Sequence, residues 1–280
     1  MTMIDTGTNE LLCDLEDGVA TVTLNKPEKR NALGDILTPA LRSVLLTLEA
    51  NERCGAILLT GAGRAFCAGG DVSGMGSNRG KGDGAGSDTP REPPTLDEAV
   101  RNLIEKQESL TLRMAELDKP IVAALPGPAA GAGLSIALAA DLRMMADDTF
   151  VTTAFRRIGL SGDYGSSWFL TRLVGPAVAK ELLMTGRRIP ADECLRLGIV
   201  NRIVPFEDLA TEARALALEL ANGPRAALRY MKRNVNRAVL GDLRGSLAAE
   251  AEGMVRSVRT ADHKEAVRAF MEKREPRFGR

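Results

Sequence analysis

Two short stretches near the start of the chain, Leu11–Glu16 and Val19–Leu24, are dense in apolar and β-branched residues and are separated by Asp17-Gly18. That pattern predicts two strands joined by a tight turn. Thr38-Pro39 reads as a helix start, with Thr as N-cap and Pro at the first helical position. Its apolar stripe passes through Leu41, Val44, Leu45 and Leu48, spaced i, i+3, i+4, i+7. Ala56–Thr60, Ile121–Leu125 and Leu142–Met145 read as short buried strands, and Leu134–Ala140 as a buried helix. Strands joined by helices predict an α/β arrangement.

Beyond Ala191 the pattern turns helical. Ala191–Leu197 is closed by Gly198, and Phe206–Ala221 by Asn222-Gly223-Pro224. Arg225–Val239, Asp242–Val258 and Ala261–Lys273 follow, the last after Thr260 as N-cap. The organisation expected is a core over residues 1–200 and a helical subdomain over 201–280, suited to an oligomer interface or a cover over a site. Between residues 74 and 94, Gly, Ser, Asp, Lys and Pro dominate. Such a segment lacks the apolar surface to order itself and reads as a mobile loop, either a lid or an inert insertion.

Composition narrows the function. Among the 280 residues, Lys plus Arg and Asp plus Glu each total 37, so the formal net charge is zero. That balance gives no support to a nucleic-acid or anionic-membrane surface. No apolar run is long enough to span a bilayer, and no partnership with a membrane is expected. Cys13, Cys54, Cys67 and Cys194 are scattered without a C-x-x-C pair. Neither a zinc site nor a disulfide framework is expected, and reduced thiols point to the cytoplasm. His263 is the sole histidine, a poor foundation for Ser-His-Asp or Cys-His chemistry.

Two Gly-rich segments follow predicted strands: Gly61–Asp71 and Gly127–Ser135. Neither spells G-x-G-x-x-G or a P-loop, so neither reads as a dinucleotide or NTP site. Small residues where a helix begins leave backbone N–H groups uncovered, and these can receive a developing oxyanion. The Gly69-Gly70 pair can supply a second donor. The competing reading is that the glycines only allow close packing of strand and helix.

The order and spacing of five segments carry a family resemblance. Arg64-Ala-Phe-Cys-Ala-Gly-Gly-Asp71 and the run Lys119–Ser135 resemble the two signatures of the enoyl-CoA hydratase/isomerase (crotonase) superfamily. Asn25–Leu33 resembles its coenzyme loop, Thr185–Asn201 the segment leading into its helical region, and His263–Arg274 its final helix. The resemblance implies a spiral of ββα units with a C-terminal helical trimerisation region, giving a homotrimer or a dimer of trimers. It implies an acyl-CoA thioester substrate, with coenzyme A part of that substrate and no metal or other cofactor.

The resemblance assigns the oxyanion donors to the backbone N–H groups of Gly70 and Ala132. It places Lys26, Lys29 and Arg30 near the coenzyme phosphates, and Ala68 and Asp71 beside the ligand. Lys273 and Phe278 match positions that reach a neighbouring subunit's adenine. The two glutamates that relatives use for hydration are replaced here, by Ser135 and Phe155. Asp163, in Gly159-Leu-Ser-Gly-Asp-Tyr-Gly-Ser-Ser167, resembles the aspartate of ring-modifying acyl-CoA isomerases and aryl-CoA dehalogenases. It is taken forward as a single acid/base for isomerising an enoyl-CoA double bond. The bland alternative is that it caps the helix starting near Ser166. Tyr164 either orients substrate or packs. Hydration with an altered acid/base set, nucleophilic dehalogenation, and acyl-CoA binding without catalysis are the competing functions.

Overall fold

The computed structural model describes residues 1–71 and 93–279. The 74–94 loop expectation therefore falls almost wholly outside the described residues.

The chain opens with β1 (Thr2–Met3), β2 (Leu11–Glu16) and β3 (Val19–Leu24), paired antiparallel in sequence. Helix α1 (Leu37–Ala50) then crosses to β4 (Ala56–Gly61), which pairs parallel with β3. Its N-cap is Ile36, without a side-chain cap, which corrects the assignment of that role to Thr38. Thr38 is instead buried on the helix face that also carries Leu41, Val44, Leu45 and Leu48. Burial of this stripe outweighs the cap preference.

Helix α2 (Leu96–Gln107) begins with a capping box, in which the Thr95 hydroxyl accepts from the Glu98 N–H and the Glu98 carboxylate accepts from the Thr95 N–H. A single π turn (Glu108–Leu112) and the short α3 (Arg113–Glu116) lead into β5 (Ile121–Leu125). After β6 (Ala129–Ala130) come α4 (Ala132–Leu138), β7 (Leu142–Ala146) and β8 (Phe150–Thr152). The helix assigned to Leu134–Ala140 thus starts two residues earlier, at Ala132. Next are α5 (Ser166–Thr185), β9 (Ile189–Pro190), α6 (Ala191–Arg196) and β10 (Arg202–Val204).

The main sheet has the order β1-β2-β3-β4-β5-β7-β10, and a small sheet runs β6-β8-β9. From β3 to β10 all neighbours in the main sheet are parallel. A parallel sheet needs cover on both faces. One cover includes the buried stripe of α1 and all of α4. The other is α7 (Phe206–Ala221), whose Leu209, Ala213, Leu216 and Ala217 pack on Val19, Leu58, Val122 and Met144. Both β10 and α7 lie beyond residue 200 yet pack with this sheet. Helices α8 (Arg225–Ala238), α9 (Leu243–Val258) and α10 (Ala261–Glu272) follow. Asp242 and Thr260 cap the last two, accepting from Gly245 N–H and His263 N–H. Lys232 anchors α8 by donating to the Asp141 carboxylate at 2.9 Å, and the same carboxylate oxygen accepts from the Ile121 N–H.

Candidate active site

The segments after β4 and β5 run side by side. Cys67 and Ala129 form an isolated parallel bridge, and the Ala130 N–H donates to the Cys67 carbonyl at 2.9 Å. Leu33 then pairs with Gly70 in the same sense, donating to Gly69 O at 2.7 Å and accepting from the Asp71 N–H at 2.8 Å. Successive peptide groups of an extended chain point to opposite sides. The Gly70 N–H therefore faces away from Leu33, and among the described residues it has no hydrogen-bond partner. An added Cβ at Gly70 would meet nothing within 4 Å.

The second donor comes from the start of α4. Gly131 adopts φ 53°, ψ −128°, a conformation open to glycine alone, and swings the chain from β6 into the helix. The first N–H groups of any helix lack internal acceptors. That of Ala132 has no hydrogen-bond partner among the described residues. The packing explanation holds for another glycine: a Cβ on Gly133 would lie 2.4 Å from the Cys67 carbonyl oxygen. The glycines here thus divide between packing and exposing a donor.

Gly70, Ala132 and Asp163 line one cleft of about 600 Å³, with Leu33, Ile36, Pro39 and Tyr164 among its apolar walls. Asp163 sits in a tight turn in which Gly162, Tyr164 and Gly165 all have positive φ, 107°, 50° and 79°. The N-cap of α5 is Gly165 and no side chain caps that helix, which removes the capping explanation for Asp163. Its Oδ1 is buried and has no hydrogen-bond partner among the described residues. Burial pushes the carboxyl up from the usual 3.8 to about 6. A buried carboxylate oxygen without a partner calls for a functional explanation.

Ser135 and Phe155, at the positions where the resemblance expects glutamates, lie against this turn. Ser135 is fully buried on α4 and donates its hydroxyl to the Asp163 carbonyl at 3.0 Å. Phe155 is buried, and side chains added at Gly131 or Gly162 would meet its ring at 3.7 and 3.5 Å. Tyr164 both packs and bonds: its hydroxyl accepts from Arg42 at 3.2 Å while the ring is buried.

The residues expected to meet coenzyme A are only partly gathered. Lys26 and Asp71 line the cleft, and Lys26 is paired with Glu10 at 3.1 Å. Lys29 stands one contact away, paired with Asp71 at 3.0 Å. Arg30 is exposed, and its carbonyl accepts from the Ala68 N–H at 2.9 Å. Lys273 closes α10 with φ 54° and Phe278 follows it; neither lines the cleft of its own chain. Sequence reasoning missed Asn31, whose buried amide donates to Ala62 O and Ala65 O and accepts from the Lys26 N–H, stitching the loop to the first signature. It also missed Arg42 and Lys106 on the cleft wall and Gln107 behind the Asp163 turn. Among the described residues no group of three or more His, Cys, Asp or Glu side chains could hold a metal ion, and no helix is long and apolar enough to cross a membrane.

This arrangement of fold and donors belongs to a known class. Residues 14–280 match the enoyl-CoA hydratase/isomerase family, and the chain is a member of it and an enzyme of that family. A 1,2-epoxyphenylacetyl-CoA isomerase of Escherichia coli (strain K12) is 34% identical over 268 residues, spanning 96% of this chain and 97% of that protein. A probable enoyl-CoA hydratase of Rhodobacter capsulatus is 37% identical over 265 residues, spanning 95% and 96%. The crystal structure of an enoyl-CoA hydratase from Polaromonas sp. JS666 superposes with a TM-score of 0.86 at 33% identity, covering 96% of this chain and 99% of that one.

Proposed function

We propose that the protein moves the double bond of an enoyl-CoA, with Asp163 as its single acid/base and the N–H groups of Gly70 and Ala132 as the oxyanion hole. The thioester oxygen accepts from both donors. The Asp163 carboxylate takes a proton from C2 of a 3-enoyl thioester, leaving a dienolate whose negative charge rests on the held oxygen. The same carboxyl then delivers a proton to C4, giving the 2-enoyl thioester. With a pKa of about 6, Asp163 is mostly ionised at neutral pH and still a strong enough acid to return the proton.

One observation carries the reading: a buried carboxylate oxygen of Asp163, without a hydrogen-bond partner among the described residues, shares a cleft with the N–H groups of Gly70 and Ala132, which are likewise unpaired among those residues. In the family resemblance Ser135 and Phe155 stand where hydration uses glutamates. Neither replacement can transfer a proton near neutral pH. A relative named as an isomerase of an acyl-CoA supports the same reaction class.

We also propose a homotrimer. Leu243, Met254 and Phe270 on α9 and α10 are 75%, 68% and 83% exposed, more apolar surface than a helical region left in water commonly shows. In such an assembly the end of α10, with Lys273 and Phe278, would serve a neighbour's cleft.

The reaction is tested by offering 3-enoyl-CoA and 2-enoyl-CoA thioesters in D₂O. The proposal requires interconversion of the two with deuterium entering at C2 or C4. Formation of 3-hydroxyacyl-CoA as the main product would assign hydration instead, and tight binding without turnover of either would assign a binding protein.

A further inference from the structure

We infer that Ser135 and Gln107 are positioning residues that hold the peptide group between Asp163 and Tyr164 from its two ends, and so aim the Asp163 side chain. The inference rests on Asp163 being the acid/base.

The carbonyl of Asp163 and the N–H of Tyr164 belong to one planar peptide unit. Ser135 Oγ donates to that carbonyl at 3.0 Å, and Gln107 Oε1 accepts from that N–H at 2.7 Å. The carbonyl also accepts from the Ser166 N–H at 3.1 Å. The two side chains arrive from separate elements, 28 and 57 residues away along the chain. Fixing the plane fixes ψ of Asp163 and φ of Tyr164. The latter is 50°, a left-handed conformation that a tyrosine disfavours, so the turn needs ties from outside itself. If the plane rotated, the Cα–Cβ bond of Asp163 would swing with it. Displacing a reacting group by about 1 Å costs on the order of 10²-fold in rate.

Both ties come from places suited to the task. Ser135 is three residues beyond Ala132 on the same buried helix, so one rigid element sets an oxyanion donor and the base together. Its hydroxyl lies 3.3 Å from Gly131 O, the back-bond of a helical serine, and its single proton serves the shorter contact to Asp163. Gln107 is the last residue of α2, directly before the π turn at Glu108–Leu112. Such turns inside helices occur frequently at functional sites. Serine at the first glutamate position is then a replacement with a task, where loss of the acid alone would leave any small residue equally good.

The test measures kcat, KM and the acid limb of the kcat profile for Ser135→Ala, Gln107→Leu and Gln107→Glu, each with and without Asp163→Asn. With Asp163 present, Ser135→Ala and Gln107→Leu should lower kcat roughly 10- to 100-fold, leave KM within about threefold, and move the acid limb below 6 as water reaches the carboxylate. Gln107→Glu keeps the acceptor oxygen. It should retain kcat at alkaline pH while its charge moves the limb upward. In the Asp163→Asn background none should change the residual rate. Should Ser135→Ala fail to fold, the Gln107 pair on the partly exposed end of α2 carries the same comparison. Wild-type kcat and acid limb in Ser135→Ala and Gln107→Leu, beside a dead Asp163→Asn, would overturn the positioning role alone. A wild-type rate for Asp163→Asn itself would overturn the base assignment and this inference with it.

Discussion

Cys67 pairs with Ala129 in an isolated parallel bridge, and Gly70 and Ala132, the proposed oxyanion donors, each lie three residues further along their segments. One short backbone pairing thus sets the spacing of two N–H groups that lie 62 residues apart along the chain. Gly131 and Gly69 make the registration workable: Gly69 has φ 91°, and a Cβ there would stand 2.8 Å from Ala130 O.

Ala132→Pro should lower kcat by about 10²–10³ while the protein stays folded. Proline removes one donor, and the first position of a helix is where proline is best tolerated. Circular dichroism and kcat on the same preparation check it. An unchanged kcat would take Ala132 out of the oxyanion hole.

The pH profile follows from Asp163. Its carboxyl is raised to about 6 by burial, so kcat should rise with pH through about 6 and level off above it. Stability should move the other way. The folded state holds this proton more tightly than the unfolded one, so stability falls as pH rises from near 4 to about 6. Asp163→Asn should therefore raise the melting temperature at pH 8 and have little effect near pH 4, as scanning calorimetry would register. A lower melting temperature at pH 8 would show that the carboxylate is stabilised by its surroundings.

Lys29 bridges to Asp71, which lines the cleft. If it meets a phosphate of coenzyme A, Lys29→Ala should raise KM for acyl-CoA by roughly three- to tenfold, the scale of one exposed charge contact, and the effect should shrink with added salt. An acyl thioester of N-acetylcysteamine, which lacks the nucleotide, should show no such change. Equal effects on both would assign Lys29 a structural task through Asp71.

Light scattering at micromolar concentration should give three times, or six times, the mass of one chain. A monomer would leave the apolar faces of α9 and α10 in water and remove the route by which Lys273 and Phe278 reach a cleft.

Much of this was legible in the sequence, because period and punctuation survive in short elements. Leu11–Glu16, Val19–Leu24, Ile121–Leu125 and Phe206–Ala221 read with their observed bounds. The capping box Thr95-x-x-Glu98 and the apolar positions Leu96, Val100 and Leu103 signalled α2, yet they sit directly after a Gly- and Ser-rich stretch that masked the change of period. The start of α4 was read two residues late because Gly131 and Ala132 look like loop until the small residues around them are seen to pack. Asp163 was legible as a candidate, but the absence of its capping role was not. That depends on Tyr164 and Gly165 taking left-handed conformations, which places the helix start beyond the reach of the Asp163 side chain. The ties from Ser135 and Gln107 were beyond sequence reasoning because they join residues brought together only by the fold.

That one carboxylate carries the proton is tested most sharply by kcat of Asp163→Asn on a 3-enoyl-CoA, with acyl-CoA affinity measured alongside by calorimetry. Asparagine keeps the size of the side chain and its buried oxygen but cannot accept and return a proton. With Asp163 as the acid/base, kcat should fall by about 10²–10⁴ with affinity nearly unchanged. A rate within threefold of the wild type would contradict it.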